Sequence, residues 1–583
     1  MTEDVRTSDS PKPKRFRDRL IRFIALCGYL LFLTVLVLGL LAGMEYYAYR
    51  KILSSPLGAP YKDRGLDAVR QSSQKIAPLF GYEPTPGFAA TRNTKLGNAY
   101  EYINNQSFKD FEDVPLEKPA DEFRIIVTGG SVIYGRGPVP PADAIADFYE
   151  VTYRWTIPHI MEKLLNTSPE VREKIGGKKV RVINAGVPGH VIQNNLMRYL
   201  AKLRMYQPDV VVSLDGANDM HTVAKTLKDW NYFTQGQYYE VVSDILDMSG
   251  RGLANYLALW LKRNSYFFAW LSLRRQEGAG IIREDVGIPA HFQDPTPEML
   301  PLRDRNIAQV ADVAAIYHRV LETDRVPHVL ALQPMFRNSK KKRNPMEAKI
   351  EATGSMMKVG FFDARETYDL LVDRIKKRLK EEGYDVVDLT EIFDTVTEWV
   401  FTDWCHLTNG ANYILAKALT NEVKQRVFHL PLQPDDRLKQ PLDSYFRDYA
   451  KDAKVLVQGK SVDPELRILK GYPGPEVLHL AANDINPAGV MLDLGAVVPI
   501  SRLRIVWADE KSVPEAWRID VSRDGRDWQP WLSVTKTEPD HFDQWPGFEY
   551  YAPGETEARF ARYVPEGKDA SNDVKLRQIS LFR

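Results

Sequence analysis

The chain reads Phe123-Arg-Ile-Ile-Val-Thr-Gly-Gly-Ser-Val-Ile-Tyr-Gly135 where a short apolar run ends in two glycines and a serine. The run 123–127 is rich in β-branched side chains and predicts a strand that is buried on both faces. The glycines allow a sharp turn after it and leave room beside the hydroxyl of Ser131. Open α/β sheets bind ligands at this end of their strands. Alone, such a turn is more often structural than functional, so the interpretation depends on the residues at the ends of the other strands.

Further strands alternate with helices along the chain. Apolar runs predict strands at 179–183, 209–214, 329–332 and 385–389, and helical periodicity predicts helices at 192–205, 367–380 and 409–427. This alternation indicates an α/β fold with a parallel sheet covered on both faces. A helical insertion is predicted at about 220–323. Its aromatic part is a candidate wall of a substrate groove, a lid or a surface resting on a membrane, although such helices more often supply core.

Residues with catalytic potential follow several of these elements. Gly186 follows the second strand, Asn218 follows the third, and Asp403 and His406 stand just before the last helix. Because the carboxyl ends of parallel strands share one edge, these residues and Ser131 are expected at one rim. His406 can serve as base for a serine nucleophile, and Asp403 can orient the imidazole. Backbone N–H groups of Ser131 and Gly186, with the Asn218 amide, can stabilise an oxyanion.

Four blocks of sequence carry a family resemblance. In order, Gly-Gly-Ser131, Gly186, Gly216-Ala-Asn218-Asp219 and Asp403-Trp-Cys-His406 resemble the conserved blocks of the SGNH (GDSL-like) hydrolase superfamily. The resemblance covers about 123–427. It implies a flavodoxin-like α/β/α sandwich and a serine hydrolase acting on esters, with Ser131 as nucleophile, His406 as base and Asp403 as its partner. It also implies an oxyanion hole formed by Ser131, Gly186 and Asn218. Gly130 departs from the family pattern, which has aspartate there, and this questions the subfamily more than the activity.

The separate residues also have ordinary explanations. Asn218 and Asp403 could each cap a helix, and a lone Asp-x-x-His is usually incidental. The basic loop 337–343 is by default a solvated loop, although it could steer an anionic substrate. A nucleotide-binding interpretation fails because neither the dinucleotide nor the P-loop spacing is present. We therefore expect no cofactor.

Composition sets wide limits. The 583 residues are too many for one core, so three or more units are expected. A net charge of +1 gives no imbalance that would indicate a nucleic acid partner. The two cysteines are Cys27, in an apolar span, and Cys405, in the candidate catalytic region, so neither a disulfide nor a cysteine-based zinc site is expected.

The N-terminal part predicts a membrane anchor. Residues 23–44 form an almost unbroken apolar run, long enough for a transmembrane helix, after a basic tail at 1–22. The basic flank should stay cytoplasmic, which would put the catalytic domain on the periplasmic side of a bacterial inner membrane. A cleaved signal peptide is the competing interpretation, but the apolar run exceeds its usual length. Residues 45–120 are predicted to form a stalk that becomes a wrap around the hydrolase-like domain, 121–430.

After a linker at 431–454, the alternation of strands and helices gives way to short segments with alternating apolar and polar residues. Short alternating segments at 489–494, 501–507, 516–521, 528–534 and 577–582 predict an all-β, jelly-roll-like sandwich over 455–583. Val490-Met-Leu-Asp-Leu-Gly and Trp517-Arg-Ile-Asp-Val-Ser resemble the discoidin (F5/8 type C, galactose-binding-like) domain, which implies glycan binding. Trp545 and Tyr550 could stack on sugars, but aromatic residues in such a sandwich are as often core.

These features predict a membrane-anchored, extracytoplasmic serine esterase that deacetylates an acylated polysaccharide. Three alternatives stay open at this point. The first is an O-acyltransferase acting on the same glycans, the second is a lipase-like acylhydrolase, and the third is a catalytically silent glycan-binding assembly factor.

Overall fold

A computed structural model of the chain describes most of its residues. These are 13–54, 74–135, 156–225, 296–352, 358–457, 460–461, 478–480, 490–507, 514–535, 547–566 and 573–583, except 78, 88, 95, 96, 111, 360, 361 and 435, together with part of 254–271. The chain divides into two compact units, one formed by residues 1–71 and 243–282 and the other by residues 72–242 and 283–583.

The smaller unit is built on one long helix, α1 (Pro13–Ser54). Its part Ile21–Ile52 contains the predicted span 23–44 and is the one helix, among the residues described, that is long and apolar enough to cross a membrane. Parts of the segment 254–271 are helical in the same unit.

Two antiparallel hairpins open the larger unit. The first pairs β1 (Gln74–Ala77) with β2 (Gly81–Pro84), and the second pairs β3 (Ala89–Thr94) with β4 (Gly97–Tyr102). Strand β2 is buried along its whole length. Both hairpins lie within residues 45–120, the range predicted as a stalk that becomes a wrap.

A five-stranded parallel sheet comes next in the chain. Its region contains the strands β5 (Glu122–Gly129), β6 (Lys179–Asn184), β7 (Val210–Asp215), β8 (His328–Leu332), β9 (Lys358–Val359), β10 (Phe362–Asp363) and β11 (Val387–Asp388). Strands β9 and β10 form a separate hairpin, and the others lie in the order β11-β8-β7-β5-β6. When the five strands are numbered 1 to 5 in chain order, they lie in the order 5-4-3-1-2, which is the flavodoxin-like arrangement. Proteins with this arrangement bind ligands in the crevice at the carboxyl ends of strands 1 and 3, here β5 and β7.

Helices cover both faces of the sheet. They are α2 (Ser131–Tyr134), α3 (Ile157–Asn166), α4 (Pro169–Lys174), α5 (Ile192–Ala201), α6 (Ala217–Lys225), α7 (Met299–Thr323), α8 (Pro345–Ala352), α9 (Ala364–Lys380) and α10 (Asn409–Arg426). Alternate residues of β5 belong to different cores: Ile125 and Val127 pack with α3 and α10, whereas Ile126 packs with α5, α7 and α9. The period of two along buried strands thus produces the three-layer α/β/α sandwich.

The C-terminal part is an antiparallel β domain. Its strands are β12 (Lys454–Val457), β13 (Lys460–Ser461), β14 (Leu478–Leu480), β15 (Val490–Trp507), β16 (Trp517–Ser522), β17 (Gln529–Val534), β18 (Gly547–Pro565) and β19 (Val574–Phe582). The long strands β15 and β18 shift register between Asp493 and Val498, where irregular pairing lets a sheet bend. Trp507 and Trp517 meet in its core at a centroid distance of 5.7 Å.

The β domain packs on the α/β sandwich within the larger unit. Tyr551 of β18 stacks on Tyr413 of α10, with ring centroids 5.9 Å apart and planes 6° from parallel. Glu555 pairs with Lys439 at 3.0 Å, on the segment that joins the two parts. The β domain therefore packs directly against α10 of the α/β sandwich.

Candidate active site

Ser131 begins α2 directly after β5, at the crevice between the first and third strands of the sheet. Strands β5 and β7 are paired as far as Gly129 and Leu214, so the segments after them start side by side. Gly130 leaves room for this approach: a Cβ there would lie 2.3 Å from Asn218 Nδ2, so the Asn218 amide would have to move.

The structure brings the serine, histidine and aspartate together, although Ser131 and His406 lie 275 positions apart. Ser131 Oγ lies 2.7 Å from His406 Nε2, and His406 Nδ1 lies 2.5 Å from Asp403 Oδ2. All three residues are at least nine-tenths buried. This is the hydrogen-bond arrangement of a serine nucleophile, a base and a carboxylate that orients the base.

Asp403 is held by its own loop as well as by the imidazole. Its Oδ1 accepts hydrogen bonds from the backbone N–H groups of Cys405, at 2.9 Å, and His406, at 2.7 Å. Burial opposes ionisation of this carboxyl, but the charge and hydrogen bond of His406 and the two N–H donors outweigh it, so the pKa of Asp403 is lowered. Asp403 is therefore an anion in position to stabilise an imidazolium.

A buried ion pair fixes the start of the same loop. Lys341 and Glu347 are fully buried side chains that pair with each other. Oε1 of Glu347 also accepts the N–H groups of Val400, at 3.1 Å, and Phe401, at 3.0 Å. Sequence reasoning placed Lys341 in a solvated or substrate-steering loop and did not single out Glu347. The sequence around Lys341 contains no pattern that indicates a buried ion pair with a residue six positions later.

Asn218 lies in the first turn of α6. Its Nδ2 donates to the carbonyl of His190 at 2.9 Å, which leaves the second amide hydrogen for another acceptor. The neighbouring Asp219 accepts the N–H of Gly216 at 3.1 Å and that of Ile192 at 3.0 Å. Asp219 thus ties the start of α6 to the start of α5 and fixes the position from which Asn218 projects.

Gly186 has a different environment from the one its predicted role requires. Its N–H donates to Asn184 Oδ1 at 3.1 Å, so the hydrogen is already used inside the loop. A Cβ at this position would lie 2.3 Å from the backbone nitrogen of Tyr134. Packing of the loop against α2 is therefore a sufficient reason for glycine here, and an oxyanion role would require the N–H to be shared.

The hairpin strand β2 supports the segment that holds Asn218. The Nε2 of His190 lies 2.8 Å from the carbonyl of Tyr82, and the Tyr82 hydroxyl donates to the carbonyl of Pro188 at 2.8 Å. Burial and the nearby Arg198 charge lower the pKa of His190 to about 3, so the ring is neutral and Nε2 carries its proton. The partner of His190 comes from a segment more than a hundred residues earlier in the chain.

A second carboxyl group lies behind the Asn218 turn. Asp215 ends β7 and accepts a hydrogen bond from Asn195 Nδ2 at 2.8 Å. Burial and the charge of Asp219 raise the pKa of Asp215 well above its ordinary value. Burial and the neighbouring Asp219 thus both disfavour the charged form of the Asp215 carboxyl.

An aromatic pair lies beside the catalytic residues. Trp404, between Asp403 and His406, stacks on His221 with ring centroids 5.9 Å apart and planes 23° from parallel. The Trp404 carbonyl accepts the N–H of Phe336 at 3.0 Å, which fixes its backbone. Both rings are partly exposed. Because Trp404 is adjacent to Asp403 in the chain, a partly exposed aromatic pair here suits contact with a planar or ring-shaped ligand group.

The only group of possible metal ligands found among the described residues lies in the same loop. Side-chain ligand atoms of Asp403, Cys405 and His406 lie within 4.8 Å of one another. However, Nδ1 of His406 faces Asp403 and Nε2 faces Ser131, so both ring nitrogens already have partners. The geometry favours a proton-transfer role for His406 over metal binding.

No protein-family model and no curated protein sequence matches the chain. Similar solved structures include CEX, a two-domain esterase active on acetylated mannans and co-crystallised with mannopentaose, with 10% identity over 79% of this chain and 91% of that one and a TM-score of 0.24. LAE5, an alpha/beta hydrolase enzyme from the metagenome of Lake Arreo, Spain, has 12% identity over 51% of this chain and 94% of its own, with a TM-score of 0.23. CpGH89CBM32-6 from Clostridium perfringens has 17% identity over 24% of this chain and 99% of its own, with a TM-score of 0.19. At these identities and TM-scores the likenesses carry no argument about activity, which has to rest on the site.

Proposed function

We propose that the chain is a serine esterase of the SGNH type that removes acyl groups, acetyl in the first place, from an extracytoplasmic polysaccharide. One observation carries the proposal: Ser131 Oγ, both ring nitrogens of His406 and the Asp403 carboxylate form a continuous hydrogen-bonded chain. A protein that only binds glycans has no need of such a chain, so this observation disfavours the catalytically silent alternative.

The proposed reaction has two halves. In the first, His406 Nε2 takes the proton of the Ser131 hydroxyl as Oγ bonds to the ester carbonyl carbon. The tetrahedral intermediate then expels the sugar oxygen, which receives the proton from His406, and the acyl group stays on Ser131. In the second half, water gives a proton to His406 and attacks the acyl carbon. The second intermediate then breaks its bond to Ser131 Oγ, which takes the proton back from His406, and the carboxylic acid is released.

The negative charge of each intermediate needs hydrogen-bond donors. The N–H of Ser131 is at the start of α2 and has no acceptor within that helix. The free hydrogen of Asn218 Nδ2 is the second donor in this proposal. Gly186 would be a third only if its N–H is shared between Asn184 and the oxyanion.

The cellular setting is part of the proposal. The apolar part of α1 would hold the protein in a bacterial inner membrane, with the basic residues before it on the cytoplasmic side. The C-terminal β domain would contact the polysaccharide beside the catalytic layer, and its packing on α10 would keep the two at a constant spacing.

The test uses the full chain in detergent. Release of acetate from acetylated xylan and of p-nitrophenol from p-nitrophenyl acetate is measured for the parent, Ser131→Ala and His406→Ala. A fluorophosphonate probe, combined with mass spectrometry of the digest, reports the nucleophile. We expect both substitutions to abolish release, and the probe to modify Ser131. Release that survives Ser131→Ala would reject the mechanism, and acetyl transfer to an added glycan in excess of free acetate would replace hydrolysis by acyl transfer.

A further inference from the structure

Part of the predicted insertion packs on the outer end of α1. We call residues 254–271 the aromatic segment; its described residues include Trp260, Tyr266, Phe268 and Trp270. Tyr266 meets Tyr49 at a ring-centroid distance of 5.0 Å, and Trp270 meets Tyr47 at 5.9 Å. Residues 266–271 are helical. The contact therefore joins helical residues 266–271 to the helix that would cross the membrane.

Glu45 ties the two helices together. Its carboxylate accepts hydrogen bonds from the Ser265 hydroxyl and, at 2.6 Å, from the Tyr266 N–H. These donors lie at the N-terminal end of helical residues 266–271, where the helix dipole favours a negative charge. An isolated carboxylate at the end of an apolar span would be costly to desolvate, and these bonds give it partners.

The position of Glu45 along α1 gives the depth of this contact. The apolar run before it, 23–44, has 22 residues. At 1.5 Å per residue it spans about 33 Å, close to the roughly 30 Å hydrocarbon thickness of a bilayer. When Arg22 lies at the cytoplasmic boundary, Glu45 lies at the opposite one. Tyr47, Tyr49 and the aromatic segment then lie at the level of the outer headgroups.

Several apolar side chains of the aromatic segment lack protein cover. Leu257 is 53% exposed, Trp260 51%, Leu271 49% and Phe268 37%. Single exposed apolar residues are common, but these four lie within fifteen positions of a segment that contacts a membrane-length helix, and we call them the apolar patch. Tryptophan and tyrosine prefer the boundary between acyl chains and headgroups, where an apolar body and a polar tip are both accommodated.

We propose that the aromatic segment is seated in the outer interface of the bilayer and, with residues 45–52 of α1, forms a collar that fixes the protein on the membrane surface. The inference rests on the proposed anchoring by α1 and goes beyond it, because a single spanning helix does not require a second membrane contact. We infer that the apolar patch contacts lipid and not a second copy of the chain. The hydrogen bonds of Glu45 and the length of the apolar run place the patch at the depth of the headgroups.

Site-specific fluorescence tests the collar. The full chain carrying Cys27→Ala receives one added cysteine, labelled with the polarity-sensitive dye NBD, and is reconstituted into phosphatidylethanolamine–phosphatidylglycerol vesicles with or without brominated acyl chains. Cys405 is 2% exposed and stays unlabelled. The test positions are Phe268→Cys and Leu257→Cys. The reference positions are Leu36→Cys inside the span and Arg526→Cys on an exposed turn of the β domain.

We expect the labels at 268 and 257 to emit to the blue of the label at 526 and to be quenched by bromolipid. Glu45→Ala should shift their emission back towards that of position 526 and leave position 36 unchanged. If the labels at 268 and 257 emit like the label at 526 and are not quenched, but the label at 36 is quenched, the collar is overturned and the anchor is upheld. A blue shift without bromolipid quenching would also overturn it, since the patch would then be covered by protein. No quenching at position 36 would remove the anchor and the collar with it.

Discussion

Replacing Asp403 by asparagine should nearly abolish turnover without unfolding the site. The carboxylate uses Oδ1 to accept two backbone N–H groups and Oδ2 to accept the Nδ1–H of His406. An amide has one acceptor and one donor end, so it cannot serve both sets of partners. With oxygen towards the backbone, the amide NH₂ faces Nδ1 and forces the proton onto Nε2, which then donates to Ser131 and cannot accept its proton. With oxygen towards Nδ1, the NH₂ faces two N–H donors.

The size of the effect comes from losing the correct imidazole tautomer. The same exchange in a serine–histidine–aspartate site lowers kcat by about 10⁴, which corresponds to about 5.4 kcal/mol of transition-state stabilisation. KM for p-nitrophenyl acetate should change little, because Asp403 contacts the base and not the ester. Stability should fall only modestly, because the preferred orientation keeps the backbone hydrogen bonds.

The assay is steady-state hydrolysis of p-nitrophenyl acetate by full-length Asp403→Asn, with thermal unfolding measured on the same preparation. Asp524→Asn, on an exposed turn of the β domain, is the matched control and should keep parental kinetics. A folded Asp403→Asn enzyme with more than a tenth of the parental kcat would refute the role of the carboxylate and, with it, the assignment of His406 as base.

Four further outcomes are expected. Asn218→Ala should lower kcat by about 10²–10³ with little change in KM, since one oxyanion donor is lost; unchanged kcat would exclude that role. Trp404→Ala should raise KM for acetylated xylan more than for p-nitrophenyl acetate, and an equal effect on both would exclude a sugar contact. Glu347→Gln should lower the free energy of unfolding by about 3–5 kcal/mol, because Lys341 loses its buried partner. The double variant Lys341→Met/Glu347→Gln should recover part of that loss. If the losses of the two single variants add in the double variant, the pairing is contradicted. Burial raises the pKa of Asp448 in the folded protein to about 6. The protonated carboxyl therefore stabilises the folded state at low pH, and this stabilisation is lost as pH rises from about 4 to 6. Asp448→Asn should flatten this part of the plot of stability against pH, and an unchanged plot would contradict the shift.

The α/β fold could be predicted because buried parallel strands are continuous apolar runs. Four predicted strands, 123–127, 179–183, 209–214 and 329–332, fall on β5, β6, β7 and β8 within two residues at each end. The fifth was predicted at 385–389, but β11 has only two residues.

Boundaries within elements depended on tertiary structure that the sequence pattern does not contain. The helix predicted at 192–205 ends at Ala201 and continues as a 3₁₀ turn at Leu203–Tyr206, because Lys202 leaves the helical conformation with φ −144°. In the β domain, segments predicted separately at 489–494 and 501–507 are the two halves of the single strand β15. The pattern between them is interrupted by the register shift and not by a turn.

The candidate site divides into a part that the sequence predicts and a part that it does not. Ser131, Asn218, Asp403 and His406 could be named because each lies in a short motif at an element boundary. Their supports could not, since Lys341 with Glu347 and Tyr82 with His190 are contacts between segments that share no pattern. Trp545 lies outside the described residues. Tyr550 lies edge-on to Trp517 at a centroid distance of 4.9 Å, which fits the core alternative.

The two parts of the site are held by different means, and this difference should be visible in kinetics. Ser131 and Asn218 project from the ends of paired strands, and the sheet register fixes their spacing. His406 and Asp403 lie on a loop whose start depends on Glu347. Damage to that ion pair should therefore move His406 relative to Ser131 and Asn218, which stay in place. Turnover should then fall at temperatures where the fold persists, which links the buried pair to proton transfer as well as to stability.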